Sequence, residues 1–143
     1  MKKVILILAI ALIGNFAGAQ TVKESDVPSV VKKTFFTKYP NIKVDKWEKK
    51  KTDYLAKFDE NSTATCVVID VKGNWVKTKA HIDASMLPKT ASDYMEKTYP
   101  GKKITEASKV NHPSGKVSYE AEVSETIIYF DGDGNFVSAG KEK

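Results

Sequence analysis

The sequence contains no arginine, and this absence bears on what the protein binds. Its basic residues are 23 lysines, set against 18 acidic residues in a chain of 143. Proteins that read nucleic acids or phosphate groups favour arginine, because its planar guanidinium makes two parallel hydrogen bonds at once. The lysines also alternate with acidic residues along the chain, as on a solvated surface. The sequence therefore predicts no nucleic-acid partner.

Cysteine and histidine are also scarce. Cys66 is the one cysteine, so no disulfide can form within the chain, and the two histidines are His81 and His112. No motif in the sequence pairs a serine or cysteine nucleophile with a histidine base. When the two similar halves of the chain are aligned, Ile127 stands opposite Cys66, which favours a buried, hydrophobic role for the thiol. We predict that the protein is not an enzyme.

Long hydrophobic runs are missing apart from one near the N-terminus. Lys2 and Lys3 precede an apolar run over residues 4–13, and Ala17-Gly18-Ala19 forms a small-residue cleavage site. This order is typical of a signal peptide, and the run is shorter than the roughly 20 residues that span a bilayer. The alternative is an uncleaved anchor. We expect residues 1–19 to be removed, leaving residues 20–143 as one domain, periplasmic or secreted, with no membrane insertion after cleavage.

The two halves of the chain share motifs at a spacing of about sixty residues. Proline pairs recur in the same order: Val27-Pro28 and Tyr39-Pro40, then Leu87-Pro88 and Tyr99-Pro100. The segment DVKGNWV at residues 70–76 returns as DGDGNFV at residues 131–137. A residue present in one copy and replaced in the other is a poor candidate for half of a symmetric site. The pattern predicts two repeats, about residues 25–82 and 85–140.

Each repeat is predicted to begin with a helix. Apolar residues recur at helical spacing in both: Val27, Val30, Val31 and Phe35, then Leu87, Ala91, Tyr94 and Met95. Each helix runs into a tyrosine–proline pair, and a residue before proline is pushed out of helical geometry. The helices should therefore end near Lys38 and Thr98. Ser25 or Asp26 is the expected N-cap of the first helix.

Four strand-like segments follow each predicted helix. They cover residues 42–49, 52–58, 63–69 and 74–79 in the first repeat, and 103–110, 116–123, 126–130 and 135–139 in the second. The connectors are short and rich in turn residues, which suits antiparallel hairpins. The predicted fold is α+β: two tandem units, each a helix plus a four-stranded antiparallel meander, form one curved sheet with both helices on one face.

The third strand of each repeat is apolar on both faces, and this predicts a binding surface. Residues 66–69 read CVVI and residues 127–130 read IIYF. If the helices cover one face, an aromatic-rich patch remains on the other, and such patches usually mark interaction sites. The candidate partner-binding residues are Trp47, Leu55, Trp75, Tyr129 and Phe136. The alternative is that a loop covers the patch or that β-bulges turn the aromatics into the core.

One turn resembles the opening of a calcium loop. Asp131, Asp133 and Asn135 place oxygen atoms at alternate positions, and Glu142 is the twelfth residue of such a loop. The equivalent turn of the first repeat carries Lys72 in place of the second carboxylate. A hairpin turn explains both copies, whereas a metal site explains one. Calcium is therefore the alternative prediction for this segment, with no cofactor as the first.

These features together resemble a known family. A signal peptide, tandem helix–meander units, helices ending in Tyr39-Pro40 and Tyr99-Pro100, and repeated Gly-Asn-aromatic hairpins are similar to the putative β-lactamase-inhibitor-like, PepSY-like secreted proteins. The resemblance implies a bacterial envelope protein with one curved antiparallel sheet and helices on one face. It also implies that the concave sheet face, rich in aromatics, grips a partner enzyme.

The sequence thus predicts an exported, non-catalytic binding module. It would recognise a protein or peptide through the sheet face opposite the helices, as an inhibitor-like protein does, and would be a monomer or weak dimer. Interfaces draw most of their energy from a few aromatic anchors, which that face is expected to supply. The alternative function is that of an envelope protein that binds calcium or another small ligand.

Overall fold

In the computed structural model, residues 18–141 are described and form an α+β fold of two helices and nine strands. The helices are α1 (Ser29–Lys38) and α2 (Lys89–Thr98). The strands are β1 (Gln20–Val22), β2 (Lys46–Lys50), β3 (Asp53–Glu60), β4 (Thr63–Asp70), β5 (Trp75–Ile82), β6 (Glu106–Asn111), β7 (Val117–Val123), β8 (Thr126–Phe130) and β9 (Phe136–Gly140). The predicted α+β class is confirmed. The predicted signal segment, apart from its last two residues, and Glu142 lie outside the described residues.

The nine described strands make one antiparallel sheet. Each strand pairs with the next along the chain, so the order in the sheet is the order in the sequence. All eight predicted strands are present, but the first strand of each repeat begins later than predicted, at Lys46 rather than residue 42 and at Glu106 rather than residue 103. β1 was missed because a strand of three residues is too short to show a periodic pattern in the sequence. It pairs with Lys49, Glu48 and Trp47 of β2. Short hairpin connections fix this topology, since a parallel pair needs a long crossover.

Both helices begin at a proline. Pro28 and Pro88 occupy the N-cap positions, where a missing backbone N–H removes no helical hydrogen bond. A 3₁₀ turn, Glu24–Asp26, precedes α1 and contains both residues that were expected to cap it. The predicted cap at Ser25 or Asp26 is therefore wrong. The proline already fixes the backbone angle at the helix start, so no side-chain cap is required there.

Both helices also end where the sequence predicts. Tyr39 and Tyr99 follow the last helical residues with φ of −126° and −125°, outside the helical region. Each precedes a proline, whose ring disfavours a helical conformation in the residue before it. The predicted ends at Lys38 and Thr98 are confirmed.

Phe35 is the centre of the cluster beneath α1. Its ring contacts four others at centroid distances of 5.1–5.6 Å, namely Phe36, Tyr39, Trp47 and Phe58. Val31 lies one turn earlier on the same helix and is also fully buried, as are Ala56 and Ile69 of the strands below. Edge-to-face and offset aromatic pairs add about 0.5–1.5 kcal/mol each beyond their buried area. The first half of the core is therefore held mainly by ring packing.

The cluster beneath α2 contains fewer aromatic contacts. Ala91 and Met95 of the helix pack on small and aliphatic strand residues: Ala107, Ala121, Val123 and Ile128. Tyr94 contacts the rings of Phe130 and Phe136 at 5.7 Å and 4.8 Å. The small strand residues beneath α2 face alanine and methionine on the helix, whereas α1 turns phenylalanine towards the strands.

The glycine in each Gly-Asn turn is required by both backbone angle and space. Gly73 and Gly134 have φ of +88° and +86°, a region that residues with a side chain rarely adopt. A Cβ at Gly73 would overlap the side chain of Val30, and one at Gly134 would lie 2.7 Å from Cβ of Pro88. Each turn is thus folded tightly against the first turn of a helix. This contact fixes the position of each helix along its strands.

Candidate functional site

One face of the sheet carries buried charges, and we call it the Lys–Glu face. Its residues share one side of the strands and are neighbours in the sheet: Glu48, Leu55, Lys57, Cys66, Val68, Lys79, Val110, Glu120, Ile127 and Tyr129. An ion pair between Lys79 of β5 and Glu120 of β7, with Nζ and Oε2 2.7 Å apart, bridges the middle of the sheet. The residues of this face therefore form one continuous surface across both halves of the chain.

Glu48 lies between two lysines on this face. Its carboxylate oxygens are 2.7 Å from Nζ of Lys46 and 2.9 Å from Nζ of Lys57. Glu48 and Lys57 are each 4% exposed. Burial pushes the pKa of Glu48 upward, but the hydrogen bonds and positive charges of the two lysines outweigh it, so the pKa lies below its ordinary value. Glu48 is therefore an ionised member of a buried pair, which requires both partners to remain in place.

Cys66 lies on the same face and is fully buried. It stands across the strands from Lys57 and Lys79. Burial raises the pKa of its thiol to about 12, and the nearby lysines lower it by less. A thiol that stays protonated is a poor nucleophile, so the prediction that Cys66 belongs to the core is confirmed.

An apolar groove opens at one end of the Lys–Glu face, and we call it the first groove. Its floor is Leu55, Val68 and Val76, and its volume is about 430 Å³. Its rim carries three lysines, an aspartate and a histidine: Lys50, Lys51, Lys77, Asp53 and His112. A concave apolar surface with a few polar groups at its edge is the usual form of a binding site. The three lysines and one aspartate give the rim an excess of positive charge.

Two of the five predicted binding residues lie on the Lys–Glu face and three do not. Leu55 lines the first groove, and Tyr129 of β8 pairs with Glu120 across the strands. Trp47 is instead buried beneath α1, 4% exposed, with its ring 5.6 Å from that of Phe35. The register explains this: Trp47 pairs with a core alanine, while Glu48 pairs with Leu55. The placement of Trp47 on the binding face was therefore wrong.

The placement of Trp75 and Phe136 on that face was also wrong, and the alternative, that β-bulges turn these aromatics away from it, holds. The register shifts at Val68/Ile69 and again at Tyr129/Phe130, where one extra residue is inserted into the partner strand. Each bulge turns the aromatic residue towards the helix of its own half. Trp75 packs on the cluster beneath α1 with Nζ of Lys38 3.7 Å from its ring centroid, and Phe136 stacks on Tyr94.

The same bulges supply a residue that the sequence did not indicate. Val76 is the inserted residue of β5, and it packs with Leu55 and Val68 in the first groove. The buried charges of the Lys–Glu face were also missed, although Lys57 stands between Ala56 and Phe58 in the sequence, inside an apolar strand. The available signal was a charged residue flanked on both sides by apolar residues within a strand. Whether such a charge is buried depends on its cross-strand neighbours, which the local sequence does not specify.

The proposed calcium residues form a hairpin turn in which the Asp131 carboxylate is already hydrogen-bonded. Oδ1 of Asp131 accepts hydrogen bonds from the backbone N–H groups of Asp133 and Asn135, and Oδ2 accepts one from the Asn135 side chain. Those bonds, led by the side-chain bond from Asn135, lower the pKa of Asp131. Asp70 makes the same bonds in the first half. Among the described residues no group of three or more His, Cys, Asp or Glu is arranged to hold a metal ion.

The solved structures that share this fold are distant in sequence. A DUF2874 family protein from Bacteroides uniformis has 21% identity and a TM-score of 0.71, over 79% of this chain and 88% of that one. A putative periplasmic protein from Bacteroides eggerthii has 17% identity and a TM-score of 0.72, over 80% and 88%. A BLIP-like protein from Bacteroides fragilis has 20% identity and a TM-score of 0.62, over 79% and 84%. No curated protein matches the chain significantly.

The family model agrees with these folds. The model described as "Putative beta-lactamase-inhibitor-like, PepSY-like" matches residues 17–67 and again residues 62–138. The two matches together cover most of the chain. Within residues 18–141, no helix is long and apolar enough to cross a membrane. The resemblance predicted from the sequence is confirmed, and the chain belongs to the putative β-lactamase-inhibitor-like, PepSY-like family.

Proposed function

We propose that the protein is an exported, non-catalytic binding module that holds a protein or peptide against the Lys–Glu face. The observation that carries the proposal is the first groove, where the apolar floor of Leu55, Val68 and Val76 opens beside lysines. Apolar contacts supply most of the binding energy of such surfaces, and charges at their rim select the partner. The chemistry of this face suits recognition: its one thiol stays protonated, and its buried carboxylates, Glu48 and Glu120, are each paired with a lysine.

The arrangement of the helices supports this use of the sheet. We infer that both helices pack on the same face as two tandem helix–meander units, within one domain of residues 20–143. Ala56, which lies beneath α1, pairs with Val67 of β4, and Val67 pairs with Thr78 of β5. Thr78 and Ile82 are four residues apart in β5 and so point to the same face, and Ile82 packs beneath α2. The opposite face is then the one left for a partner.

The predicted signal peptide supports export. The related structure from Bacteroides eggerthii is described as periplasmic, and we extend that location to this chain. Inhibition of an enzyme held against the Lys–Glu face is the form of binding that the family description suggests. The proposal identifies the binding surface, and it describes the partner by the chemistry that this surface would recognise.

A matched pair of charge variants tests the proposal. Lys51→Glu with Lys77→Glu reverses charge at the rim of the first groove, and Lys33→Glu with Lys97→Glu makes the same change on exposed positions of the helices. We expect the groove variant to lose proteins that the wild type captures from a native envelope extract, and the helix variant to keep them. Circular dichroism and thermal melting check that both variants fold.

The opposite pattern would refute the proposal. If the helix variant loses the captured proteins and the groove variant keeps them, recognition lies on the helix side of the sheet. If a folded groove variant captures the same proteins in the same amounts as the wild type, the first groove takes no part in binding.

A further inference from the structure

A second groove opens on the same end of the sheet as the first. The hairpins β2–β3, β4–β5, β6–β7 and β8–β9 all turn at this end, because the strands follow chain order in an antiparallel meander. The second groove has a volume of about 570 Å³. Its apolar lining is Val117, Val137 and Phe130, whose ring is buried in the cluster beneath α2, and its polar lining is His112, Ser114, Lys116, Ser118 and Asp131.

The two grooves correspond in their construction. Each lies beside an Asp-x-x-Gly-Asn turn, and each contains the valine that follows the aromatic residue of that turn, Val76 in one and Val137 in the other. The register shifts at the same point in both hairpins. Val137 is 60% exposed, so it is available to a ligand without any rearrangement.

His112 lines both grooves and so joins them. Its backbone N–H donates to the carbonyl oxygen of Lys116 across the β6–β7 hairpin. Its Nε2 is 2.8 Å from Oγ of Ser118, which lines the second groove. The imidazole thus borders both grooves, and we call the two grooves together the trough.

The span of the trough determines the kind of ligand that fits it. The first groove begins at β3 and the second ends at β9, which is six strand spacings, or about 29 Å at about 4.8 Å each. An extended peptide advances about 3.3 Å per residue, so about nine residues cover this distance. A small molecule would fill one groove and leave the other empty. An extended peptide segment is the ligand whose length matches.

The charge of the trough determines the sign of the ligand. Its rim carries four lysines, Lys50, Lys51, Lys77 and Lys116, against two aspartates, Asp53 and Asp131. The Asp131 carboxylate accepts hydrogen bonds within its own turn. An acidic segment therefore complements the rim better than a basic or neutral one.

We propose that this trough binds an extended acidic peptide segment of a partner protein, with one apolar side chain in each groove and His112 between them. The proposal rests on the proposed function, because the first groove is part of both. It goes further in assigning the second groove, the length of the ligand and its charge. The apolar side chains within reach of a ligand are Val76, which is half-buried, and Val137, and the lysines select acidic sequences and speed their association.

A random nonapeptide library displayed on phage, selected against the exported protein, tests the proposal. We expect the selected peptides to be rich in Asp and Glu and to carry two apolar residues separated by several positions. Their binding to the purified protein, followed by fluorescence polarisation, should weaken as salt is raised. Peptides without an acidic preference, or no selected peptide at all, would overturn the proposal. So would a protein that selects no peptide but binds dodecanoate or a second copy of itself.

Single charge reversals then assign each groove. Lys77→Glu in the first groove and Lys116→Glu in the second should each weaken a selected peptide at least about tenfold, or about 1.4 kcal/mol. The same reversal at the exposed α2 residue Lys97 should leave binding within about twofold, as expected for a distant screened charge. A peptide with one Glu replaced by Lys should recover affinity for the Lys116→Glu variant, which separates a direct contact from a folding defect.

The outcomes distinguish this proposal from the proposed function. If Lys77→Glu weakens binding and Lys116→Glu does not, the ligand occupies the first groove alone: the trough is wrong and the proposed function stands. If Lys116→Glu weakens binding and Lys77→Glu does not, the first groove has no role, and both the proposed function and the trough fail. If neither changes the affinity, the peptide binds elsewhere and both are again refuted.

Discussion

The two halves of the sheet share one hairpin turn and differ in the surface that surrounds it. In the turns after β4 and β8, Asp70 and Asp131 accept the same hydrogen bonds from the asparagine four residues further on. On the Lys–Glu face, however, the first half buries Glu48 between two lysines, whereas Ser108 holds the corresponding place beside Glu120 in the second. Turn geometry is a local requirement, so both halves keep it. The side chains of the Lys–Glu face are not fixed by turn geometry, and they differ between the two halves.

The cores show a similar contrast. Phe35 of α1 packs among four aromatic rings, while Ala91 and Met95 of α2 pack on alanine, valine and isoleucine. Both solutions bury the helix completely on its inner side. The comparison teaches that the meander accepts different side chains as long as the turns, the register shifts and the helix starts are preserved.

The largest expected effect comes from removing Glu48. Glu48→Ala leaves Lys57 buried without its carboxylate, and we expect the free energy of unfolding to fall by about 3–5 kcal/mol. Ser108→Ala, the corresponding change in the second half, should cost less than about 1 kcal/mol, because a buried hydroxyl is cheaper to lose than a buried charge partner. Urea unfolding of both variants measures the difference. Equal losses would show that the buried pair adds nothing specific to the first half.

The same pair predicts a dependence on pH. The pKa of Glu48 is lowered in the folded protein, so its contribution to stability is complete above its unfolded pKa of about 4.3 and is lost as the pH falls through the folded value. Glu48→Gln should therefore be less stable than the wild type at neutral pH and lose less stability on acidification. Parallel stability curves for the two proteins between pH 7 and pH 2 would contradict this assignment.

Alanine substitution at three glycines gives the next largest effects. All three have positive φ, but Gly134 abuts the Pro88 ring and the Ala91 backbone, Gly73 abuts the side chain of Val30, and Gly115 has nothing within 4 Å. We expect losses of about 1–3 kcal/mol in the order Gly134, Gly73, Gly115. The exposed Val30 side chain can rotate away, whereas a proline ring and a backbone cannot. Thermal melts rank the variants; a larger loss at Gly115 would mean that the contacts with the helices contribute little.

A smaller difference separates the aromatic residues that follow the two Gly-Asn turns. Trp75 donates a hydrogen bond from Nε1 to Oγ1 of Thr78 and lies beneath Lys38, while Phe136 is 44% exposed and contacts Tyr94. We expect Trp75→Ser to cost about 2 kcal/mol and Phe136→Ser about 1 kcal/mol. Denaturant unfolding measures both. If neither substitution changes stability and both abolish binding of a selected peptide, the two rings belong to the binding surface after all.

The smallest expected effect is that of calcium. Because the Asp131 carboxylate is already hydrogen-bonded within its turn, as Asp70 is in the lysine-bearing first turn, we expect millimolar calcium to shift the melting temperature by less than about 1 °C relative to a chelator. A rise of several degrees that Asp131→Asn removes would restore the calcium hypothesis and would set the second turn apart from the first.

Much of the fold followed from short-range signals. The tyrosine–proline pairs placed the helix ends at Lys38 and Thr98, and the turn residues located eight of the nine described strands. The burial of Cys66 followed from its counterpart Ile127. The sheet face of Leu55 followed from the regular alternation of β3, which places it beside Glu48 and Val68 on the Lys–Glu face.

The positions of the aromatic residues could not be predicted in the same way. Alternation along a strand assigns faces only while the register is regular, and the two register shifts move Trp75 onto the cluster beneath α1 and Phe136 onto Tyr94 of α2. Trp47 was misplaced because its pairing partner, a core alanine of β3, was unknown from the sequence. An inserted residue leaves no signature in local composition, since Val76 and Val137 are ordinary strand residues.

By itself, the sequence determined the features that depend on neighbouring residues: the helix ends, the glycine turns, the antiparallel class and the family. The tertiary structure alone decided which side chains share a face, that Glu48 and Lys57 are buried together, and that His112 lies between two grooves. The physical reason is the distance along the chain over which each feature is determined. Turns and helix ends are set by backbone sterics within a few residues, whereas a surface is assembled from strands far apart in the chain, and its composition depends on their register.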